Sequence, residues 1–253
     1  MSGYPVIQLI GVTGMGEIIK GSKLSEIIRN AASMQGTPIM ERDILVVTQK
    51  IVSKAEGSVV DLSTIHPSDF AKSFAMKWGK DPRHVEVILK ESRRVVRMEK
   101  GVLITETHHG FICANAGVDA SNVPGSDNVC LLPKMPDASA KSIRDEIYNA
   151  IGLTVAVVIS DTFGRPWREG TTNVAIGIAG INPIKDYRGV EDSYGYELKS
   201  SVAATGDEIA ASAELVSNKT DHIPVSIIRG LPYDDSEGSI SLLIRDPSKD
   251  LFR

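Results

Sequence analysis

The stretch 154-TVAVVISDT-162 decides the expected fold, because it is the most apolar strand-like run in the chain and it ends abruptly in polar residues. An apolar run of this length, bounded by polar residues, predicts a strand buried inside a sheet. Residues 139–151, just before it, have isoleucines four positions apart, and Gly152 is placed to end a helix. The pair predicts a helix that leads into a core strand, with Asp161 at the strand's end.

Segments on either side alternate between strand-like and helix-like patterns. Several short pairs resemble antiparallel strands, which favours an α+β fold over a regular doubly wound sheet. The apolar run 171–181 fits either a core strand or an interface. The other predicted strands are 6–10, 44–47, 101–105, 111–114 and 225–228. Two further helices are predicted after Ser22 and after Pro67, and the second has a core stripe of Phe70, Phe74 and Trp78. Another is predicted from Asp81 through Val96, with Arg93, Arg94 and Arg97 on its solvated face, and a last one from an Asp207 cap through Val216.

Composition narrows the class of protein. The chain has 253 residues, of which 42% are hydrophobic and 24% charged, as in an ordinary globular protein. The 28 basic and 32 acidic residues give a net charge of −4 without a basic run, which argues against a nucleic-acid partner. Cys113 and Cys130 are too few for a disulfide scaffold and predict buried, reduced thiols.

The start of the chain has no pattern of a secretory signal. Its longest uncharged apolar stretch, residues 148–160, is too short to cross a bilayer. A cytoplasmic protein without a membrane partner is therefore expected.

Several common catalytic motifs do not occur in the sequence. Residues 16–23 (GEIIKGSK) carry Lys and Ser in the wrong order for a Walker A loop, and 11-GVTGMG-16 lacks the glycine order of a dinucleotide-binding loop. The adjacent His108 and His109 would point to opposite faces of a strand, which argues against zinc. Ser160 lacks the glycine-flanked elbow of a hydrolase nucleophile.

Acidic residues lie at strand ends and turns. Asp161 ends the buried strand beside the Thr162 hydroxyl, Asp119 lies in a loop of small polar residues, and residues 234–238 (DDSEG) form an acidic turn. Mg²⁺ and Mn²⁺ prefer oxygen ligands of this kind. Taken singly, each acid also fits a plain turn or a solvated loop.

Cations lie close to these acids in the sequence pattern. Lys54 follows a predicted strand, and Arg165 and Arg168 flank a Gly-Pro turn, positions that suit phosphate or carboxylate groups. The alternative is that these cations have only a structural role, in which they neutralise Asp161 and Glu169. A triphosphate beside bare carboxylates is repelled by several kcal/mol per close pair at an effective dielectric of ~20. Together the loops therefore predict a site that holds a polyphosphate through divalent metals.

Four ordered segments resemble a known family, the coenzyme F420-0:L-glutamate ligases, which are the γ-glutamyl ligases of deazaflavin biosynthesis. The resemblance extends from about residue 6 to about residue 243. It implies that family's α+β fold, with mixed and antiparallel sheets, packed helices and two intertwined subdomains. The segments are VVTQKIVSKAEG (46–57), NAGVDASN (115–122), SDTFGRPWR (160–168) and DEIA (207–210).

The expected organisation is a single ligase domain over residues 1–253. Some members of the family are fused to a nitroreductase-like second domain, and none is expected here.

The resemblance also implies an activity. A GTP-dependent ligase would add L-glutamate to the terminal carboxylate of coenzyme F420-0, and through a γ-linkage to F420-1, by way of an acyl phosphate, releasing GDP and phosphate. The implied partners are GTP, L-glutamate, F420-0 and a second copy of the chain in a homodimer. The implied ions are Mg²⁺ or Mn²⁺, together with K⁺.

Particular residues acquire roles from the same resemblance. The catalytic residues are Lys54, Asp161 and Arg165. The metal ligands are Asp119, Asp161, Thr162 and Glu237. The nucleotide contacts are Gly11, Val12, Thr13, Gly14, Gln49, Lys50, Lys54, Asn122, Asp235, Ser236, Glu237, Gly238 and Ser239.

Two other classes of function fit the same acids and cations. A metal-dependent nucleotide hydrolase would use water as the nucleophile and release GDP without glutamate. A nucleotide-sensing module would bind GTP tightly without turnover.

Overall fold

The computed structural model describes residues 4–121, 123, 125 and 127–251. Strands and helices alternate in parts of the chain, but α3 and α4 follow one another directly, and β4 to β7 and β8 to β11 are runs of strands without an intervening α-helix. The strands are β1 (Gln8–Val12), β2 (Ile44–Thr48), β3 (Val59–Asp61), β4 (Ser92–Glu99), β5 (Val102–Thr107), β6 (Ile112–Ala114), β7 (Asn128–Cys130), β8 (Ala156–Gly164), β9 (Thr171–Ala179), β10 (Lys185–Asp186), β11 (Val202–Ala203) and β12 (Val225–Arg229). The α-helices are α1 (Leu24–Met34), α2 (Gln49–Glu56), α3 (Asp69–Trp78), α4 (Pro82–Lys90), α5 (Pro136–Ile151) and α6 (Thr205–Ser217).

A mixed sheet in the order β1-β12-β2-β8-β9 forms the larger part of the structure. β2 and β8 run parallel, with Val46 opposite Val158, and the other neighbouring pairs are antiparallel. The first five residues of β8 are all buried, which requires cover on both faces of the sheet. The expectation of a core strand is confirmed, but β8 continues to Gly164, so Asp161 lies within the strand and not at its end.

Two adjacent residues of β9 show which helix covers which face. A Cβ atom at Gly177 would lie 2.6 Å from the backbone of Pro136 in α5, so only glycine fits there. The next side chain, Ile178, lies against Gly206 of α6. Successive side chains in a strand point to opposite faces. Helices α5 and α6 therefore cover opposite faces of the sheet.

A second hydrophobic core lies apart from the sheet. It is built around α3 and α4, where Phe74, Val85, Ile88 and Leu103 are buried. An antiparallel sheet in the order β4-β5-β6 and the β3–β7 pair belong to this part of the chain. Mixed and antiparallel sheets with packed helices confirm the predicted α+β class, and the two intertwined subdomains stay a prediction.

The helix predicted from Asp81 through Val96 is too long. Asp81 does cap it, accepting a hydrogen bond from the backbone N–H of Arg83 at 2.8 Å, but α4 ends at Lys90. The following segment is β4, which pairs with β5. The arginines expected on a helix face therefore lie on a strand, where Arg94 Nε donates to Glu106 Oε2 at 2.7 Å. The adjacent β-branched residues Val95 and Val96 favour a strand, and β5 is available as its partner. Together these two effects outweigh the helical spacing of the apolar residues.

Other boundaries also differ from the prediction. Asp207 does not cap α6, because its carboxylate accepts the N–H of Ala175 in β9 at 2.9 Å. Helix α5 begins at Pro136, three residues earlier than expected. In the predicted aromatic stripe of α3, Phe74 is buried whereas Phe70 and Trp78 are exposed.

The second half of the apolar run 171–181 belongs to the core. The greater part of the run is β9, in which Ile176 and Ile178 are almost completely buried. Within the described ranges, none of the helices is both long and apolar enough to span a membrane.

Candidate active site

A cavity of about 880 Å³ opens where the parallel strands β2 and β8 end. Ligands in open α/β sheets commonly bind at the carboxyl ends of strands, because the strand ends present several loops to one space. Five separate segments form the walls here. They contribute Glu17 before α1, Lys50 and Lys54 from α2, Asp119 and Ser121 from the loop after β6, Thr162 and Asn173 from the β8–β9 hairpin, and Lys219 and His222 from the loop after α6.

Asp161 is a largely enclosed carboxylate in the cavity wall. Loss of solvation on burial is the main reason why the pKa of Asp161 is raised to about 6. A hydrogen bond from the Thr162 backbone opposes this rise, whereas the negative charge of Asp119 adds to it. Two carboxylates from distant segments therefore face the same space closely enough to repel each other.

Asp119 is held by an ion pair and by its own loop. Lys50 Nζ lies 2.7 Å from Asp119 Oδ2, and the backbone N–H of Ser121 donates to Oδ1 at 2.7 Å. Burial alone would raise the pKa of Asp119, but the hydrogen bonds from Lys50 and Ser121 outweigh it and lower that pKa. Asp119 is therefore an ionised acceptor at neutral pH.

The backbone before Asp119 is strained. Asn115, Ala116 and Gly117 all have left-handed conformations, with φ of 55°, 54° and 69°. Only glycine is free of steric cost in this region, and strain of this kind persists where the surrounding structure over-determines it. A Cβ atom at Gly117 would also lie 2.8 Å from the side chain of Leu132. The loop is therefore held in the conformation that presents Asp119.

Lys54 is a buried cation whose partner is exposed. Its Nζ lies 2.6 Å from Glu17 Oε1, and the side chains are 11% and 61% exposed. Met15 and Ile18, on either side of Glu17, are buried. Glu17 is thus a fixed counter-charge at the cavity, and an anionic ligand must compete with it for Lys54.

The two cysteines take no part in this chemistry. Cys113 and Cys130 are both buried and free. Burial, with a smaller contribution from the charge of Asp161, raises the pKa of Cys113 to about 12. A neutral thiol is a poor nucleophile and a poor metal ligand. The prediction of buried, reduced thiols agrees with this placement.

The donor set suits a hard divalent cation. Asp119, Asp161 and Thr162 all line the cavity, and their side chains carry oxygen donors of the kind that Mg²⁺ and Mn²⁺ prefer. Burial is the main cause of the raised pKa of Asp161, and a cation would offset the smaller contribution that the charge of Asp119 makes to it. In the part of the chain that the structure describes, no three His, Cys, Asp or Glu side chains cluster as a metal site.

The loop between α6 and β12 was missed by sequence reasoning. Ser217, Asn218, Lys219 and His222 line the cavity, and Asn218 and His222 have positive φ angles of 46° and 56°. β12 runs antiparallel beside β2, with Val225 opposite Val47, so this loop arrives at the end of β2. The polar run before the strand was the available signal, but only the strand order shows where it leads.

The first predicted nucleotide segment lies mostly away from the cavity. Val12 is completely buried, and Thr13 donates from its N–H and its hydroxyl to Gln35 Oε1 at 2.8 and 3.0 Å. The wall is formed instead by Gly16 and the two residues after it. Nucleotide binding by Gly11, Val12, Thr13 and Gly14 stays a prediction without support from their positions.

Gln49 is also buried and is not among the residues that line the cavity. It is 1% exposed, and its Oε1 accepts a hydrogen bond from Ser53 Oγ at 3.0 Å. Lys50 and Lys54, which follow it in α2, do line the cavity. Asn122 lies outside the described residues.

The acidic turn 234–238 and the adjoining Ser239 lie at the opposite end of the sheet. Gly238 packs against the backbone of Ile181, and Ser239 Oγ donates to Asp137 Oδ2 at 2.8 Å. Asp161 pairs with Val174, seven residues before Ile181, which is roughly 20 Å along a strand. Within one chain the structure therefore separates Glu237 from the other predicted metal ligands, and it likewise separates Asp235, Ser236, Gly238 and Ser239 from the lysines.

Arg165 is bound to its own turn. Its guanidinium donates to the carbonyl oxygens of Gly170 at 3.3 Å and Glu169 at 2.5 Å, at the exposed tip of the β8–β9 hairpin. It is not among the residues that line the cavity. Its catalytic role stays a prediction.

Fold and site together define a class of protein: an α+β protein with a polar cleft that is lined by lysines and carboxylates. The family model for F420-0:Gamma-glutamyl ligase matches residues 14–230. The chain belongs to this family, and the matched region ends before the acidic turn 234–238.

Curated relatives agree over the full length of the chain. A coenzyme F420:L-glutamate ligase of Methanothermobacter thermautotrophicus is 43% identical over 251 residues, covering 98% of this chain and 99% of the relative. The protein of the same name from Methanopyrus kandleri is 42% identical over 258 residues, covering both chains completely. That of Methanocaldococcus jannaschii is 45% identical over 217 residues, covering 85% of this chain and 86% of the relative.

Proposed function

We propose that this chain is a GTP-dependent ligase that adds L-glutamate to the terminal carboxylate of coenzyme F420-0. The acceptor carboxylate takes the γ-phosphoryl group of GTP, which leaves GDP and an acyl phosphate. The amine of glutamate then attacks the acyl carbon, forms the amide and displaces phosphate. F420-1 is extended in the same way through a γ-linkage. Family membership supports the reaction class.

One observation carries the proposal. Two lysines and two aspartates from α2, the loop after β6 and strand β8 converge on one cavity of about 880 Å³. A carboxylate acceptor and a triphosphate are both anionic, so their approach requires positive charge between them. Positively charged side chains alone would suffice to bind these two anions. The added aspartates are explained if divalent ions bind together with the substrates.

The chain's own residues have distinct tasks in this reaction. Asp119, Asp161 and Thr162 would hold Mg²⁺ or Mn²⁺, and a bound ion supplies neutralisation and polarisation of phosphoryl oxygen atoms. Lys54 contributes a positive charge to the transferred phosphoryl group. Lys50 fixes the orientation of Asp119 through its 2.7 Å ion pair. Positioning and electrostatics account for most of the catalysis in phosphoryl transfer.

The proposal also includes K⁺ as an additional ion and a homodimer as the working assembly. Both follow from the family resemblance. Light scattering in solution tests the assembly, and replacing K⁺ with Na⁺ in the assay tests the monovalent ion.

The decisive assay is mass spectrometry of F420-0 incubated with the protein, GTP, Mn²⁺ and L-glutamate. We expect one γ-linked glutamate per GDP formed, and a second addition on longer incubation. Reactions that lack glutamate, GTP or metal serve as controls.

Other outcomes of the assay favour the other classes of function. GDP formed at an undiminished rate without glutamate or F420-0 would identify a hydrolase. Tight GTP binding without turnover, with both acceptors present, would identify a sensing module. Either result would overturn the ligase proposal.

Glu17→Gln is expected to tighten nucleotide binding. The wild-type carboxylate occupies Lys54 at 2.6 Å, so its removal leaves the ammonium group to the ligand. Because Glu17 is 61% exposed, solvent weakens its ion pair with Lys54, and the expected gain in GTP affinity is about threefold. Isothermal titration with GTP and Mn²⁺ measures it, with Glu26→Gln on the exposed face of α1 as the control. Weaker binding would show that Glu17 serves the ligand directly.

A further inference from the structure

Thr162 and Asn173 form a side-chain pair inside the cavity wall. They lie directly opposite each other in the β8–β9 hairpin, and Thr162 Oγ1 donates to Asn173 Oδ1 at 2.7 Å. Both residues line the cavity beside Asp161. Asn173 was not among the residues predicted from the sequence.

The direction of this hydrogen bond has a chemical consequence. A hydroxyl group has one proton and two lone pairs, and a side-chain amide oxygen only accepts. Since Asn173 takes the proton of Thr162, the lone pairs of Oγ1 are left for another partner. A hydroxyl that contacts a cation must direct its proton elsewhere, because a proton aimed at the cation is repelled.

We propose that Asn173 is a positioning residue that holds the Thr162 hydroxyl in the orientation required for a divalent cation. The inference rests on the proposed function, in which Thr162 supplies an oxygen ligand. Partners of this kind orient the groups that touch a metal and are frequently worth about 10- to 100-fold in metal affinity. Asn173 acts through Thr162 and needs no contact with the ion.

Binding of Mn²⁺, followed by the electron paramagnetic resonance signal of the free ion, tests the inference without any turnover. Asn173→Ala is expected to weaken Mn²⁺ binding about tenfold. Thr162→Val should cause a similar loss, and the double variant should lose no more than either single one, because both remove the same interaction. Asn173→Asp keeps an acceptor oxygen and should bind Mn²⁺ at least as tightly as the wild type.

The charge of the new aspartate needs its own control. If Asn173→Asp acts through the Thr162 hydroxyl, it will not restore binding in the Thr162→Val background. Restored binding there would show a purely electrostatic effect and would contradict the positioning role. Asn149→Ala, an exposed asparagine near the end of α5, controls for general effects, and circular dichroism confirms that each variant is folded.

The possible failures are distinguishable. If wild type binds Mn²⁺ and Asn173→Ala binds it equally tightly, or if the two single losses add in the double variant, the role of Asn173 is overturned while the cation site stands. If wild type binds no Mn²⁺ with or without GTP, the proposed cation site is overturned, and this inference with it.

Discussion

Asp161→Asn is expected to reduce ligase turnover by at least about 100-fold, since removal of about 3 kcal/mol of transition-state stabilisation slows a reaction by that factor. Asp161 is one of the two aspartates that line the cavity, and asparagine has nearly its shape without its charge. Initial rates at saturating GTP and glutamate, with Mn²⁺ varied, measure the effect. Asp145→Asn, on the outer side of α5, is the matched control and should retain full activity. Near-wild-type turnover at limiting metal would show that Asp161 is not a ligand.

The same substitution should leave the fold as stable as before, or more stable. Burial raises the pKa of Asp161 to about 6 from an ordinary value of 3.8, so the charged form is disfavoured in the folded protein. A group with a raised pKa in the folded state contributes its stability below its unfolded pKa and loses it as pH rises through the folded value. Ionisation of Asp161 therefore opposes folding above about pH 6.

The stability difference between wild type and Asp161→Asn should thus depend on pH. In metal-free buffer the free energy of unfolding of wild type should fall relative to that of the variant between about pH 4 and pH 6. Above pH 7 the difference reaches at most about 3 kcal/mol, the free-energy equivalent of the pKa shift. Urea titrations at several pH values measure it. A variant that loses stability at neutral pH would contradict the raised pKa.

Lys54→Met should weaken GTP binding about 10- to 100-fold, the range expected when a hydrogen bond to a charged group is lost. Methionine keeps the apolar stem of a side chain that is only 11% exposed, so packing is preserved while the charge is removed. Glu17 then faces the ligand without a partner and adds repulsion. Isothermal titration with GTP measures the affinity, and thermal unfolding checks the fold.

Two further variants sharpen this test. Glu17→Gln in the Lys54→Met background should recover part of the lost affinity, because it removes the uncompensated carboxylate. Lys141→Met, which removes an exposed lysine paired with Asp145 on α5, should change nothing. Unchanged GTP affinity in Lys54→Met would show that Lys54 serves the structure only, through its ion pair with Glu17.

Local pattern was sufficient where neighbours in sequence are also neighbours in space. The core strand β8, the end of α5 at Gly152 and the cap at Asp81 could all be read from the order of residues, and the structure confirms them. Lys54 could be placed near the cavity because α2 follows directly after β2. The buried apolar run predicts the strand itself, but its end was placed too early, because β8 continues through Asp161 and Thr162 as far as Gly164.

Local pattern failed where two structures compete for the same residues. The segment after Lys90 continues a helical spacing, yet it forms β4 because β5 is available as a partner. The acidic turn 234–238 has the composition of a cation site. Contacts of Gly238 with Ile181 and of the adjoining Ser239 with Asp137 hold this turn at the far end of the sheet. Neither outcome depends on nearby residues alone.

The sequence by itself determined the α+β class, the family, and the two aspartates and two lysines on which the proposed chemistry depends. It could identify these four residues because each stands in a short motif whose local geometry is set by its neighbours in the chain. Only the tertiary structure decided which loops share the cavity. It added Glu17, Asn173 and Lys219 and left Arg165 and Glu237 outside. The physical reason is strand order: β12 lies beside β2, and β9 lies beside β8, through pairings between residues far apart in the chain.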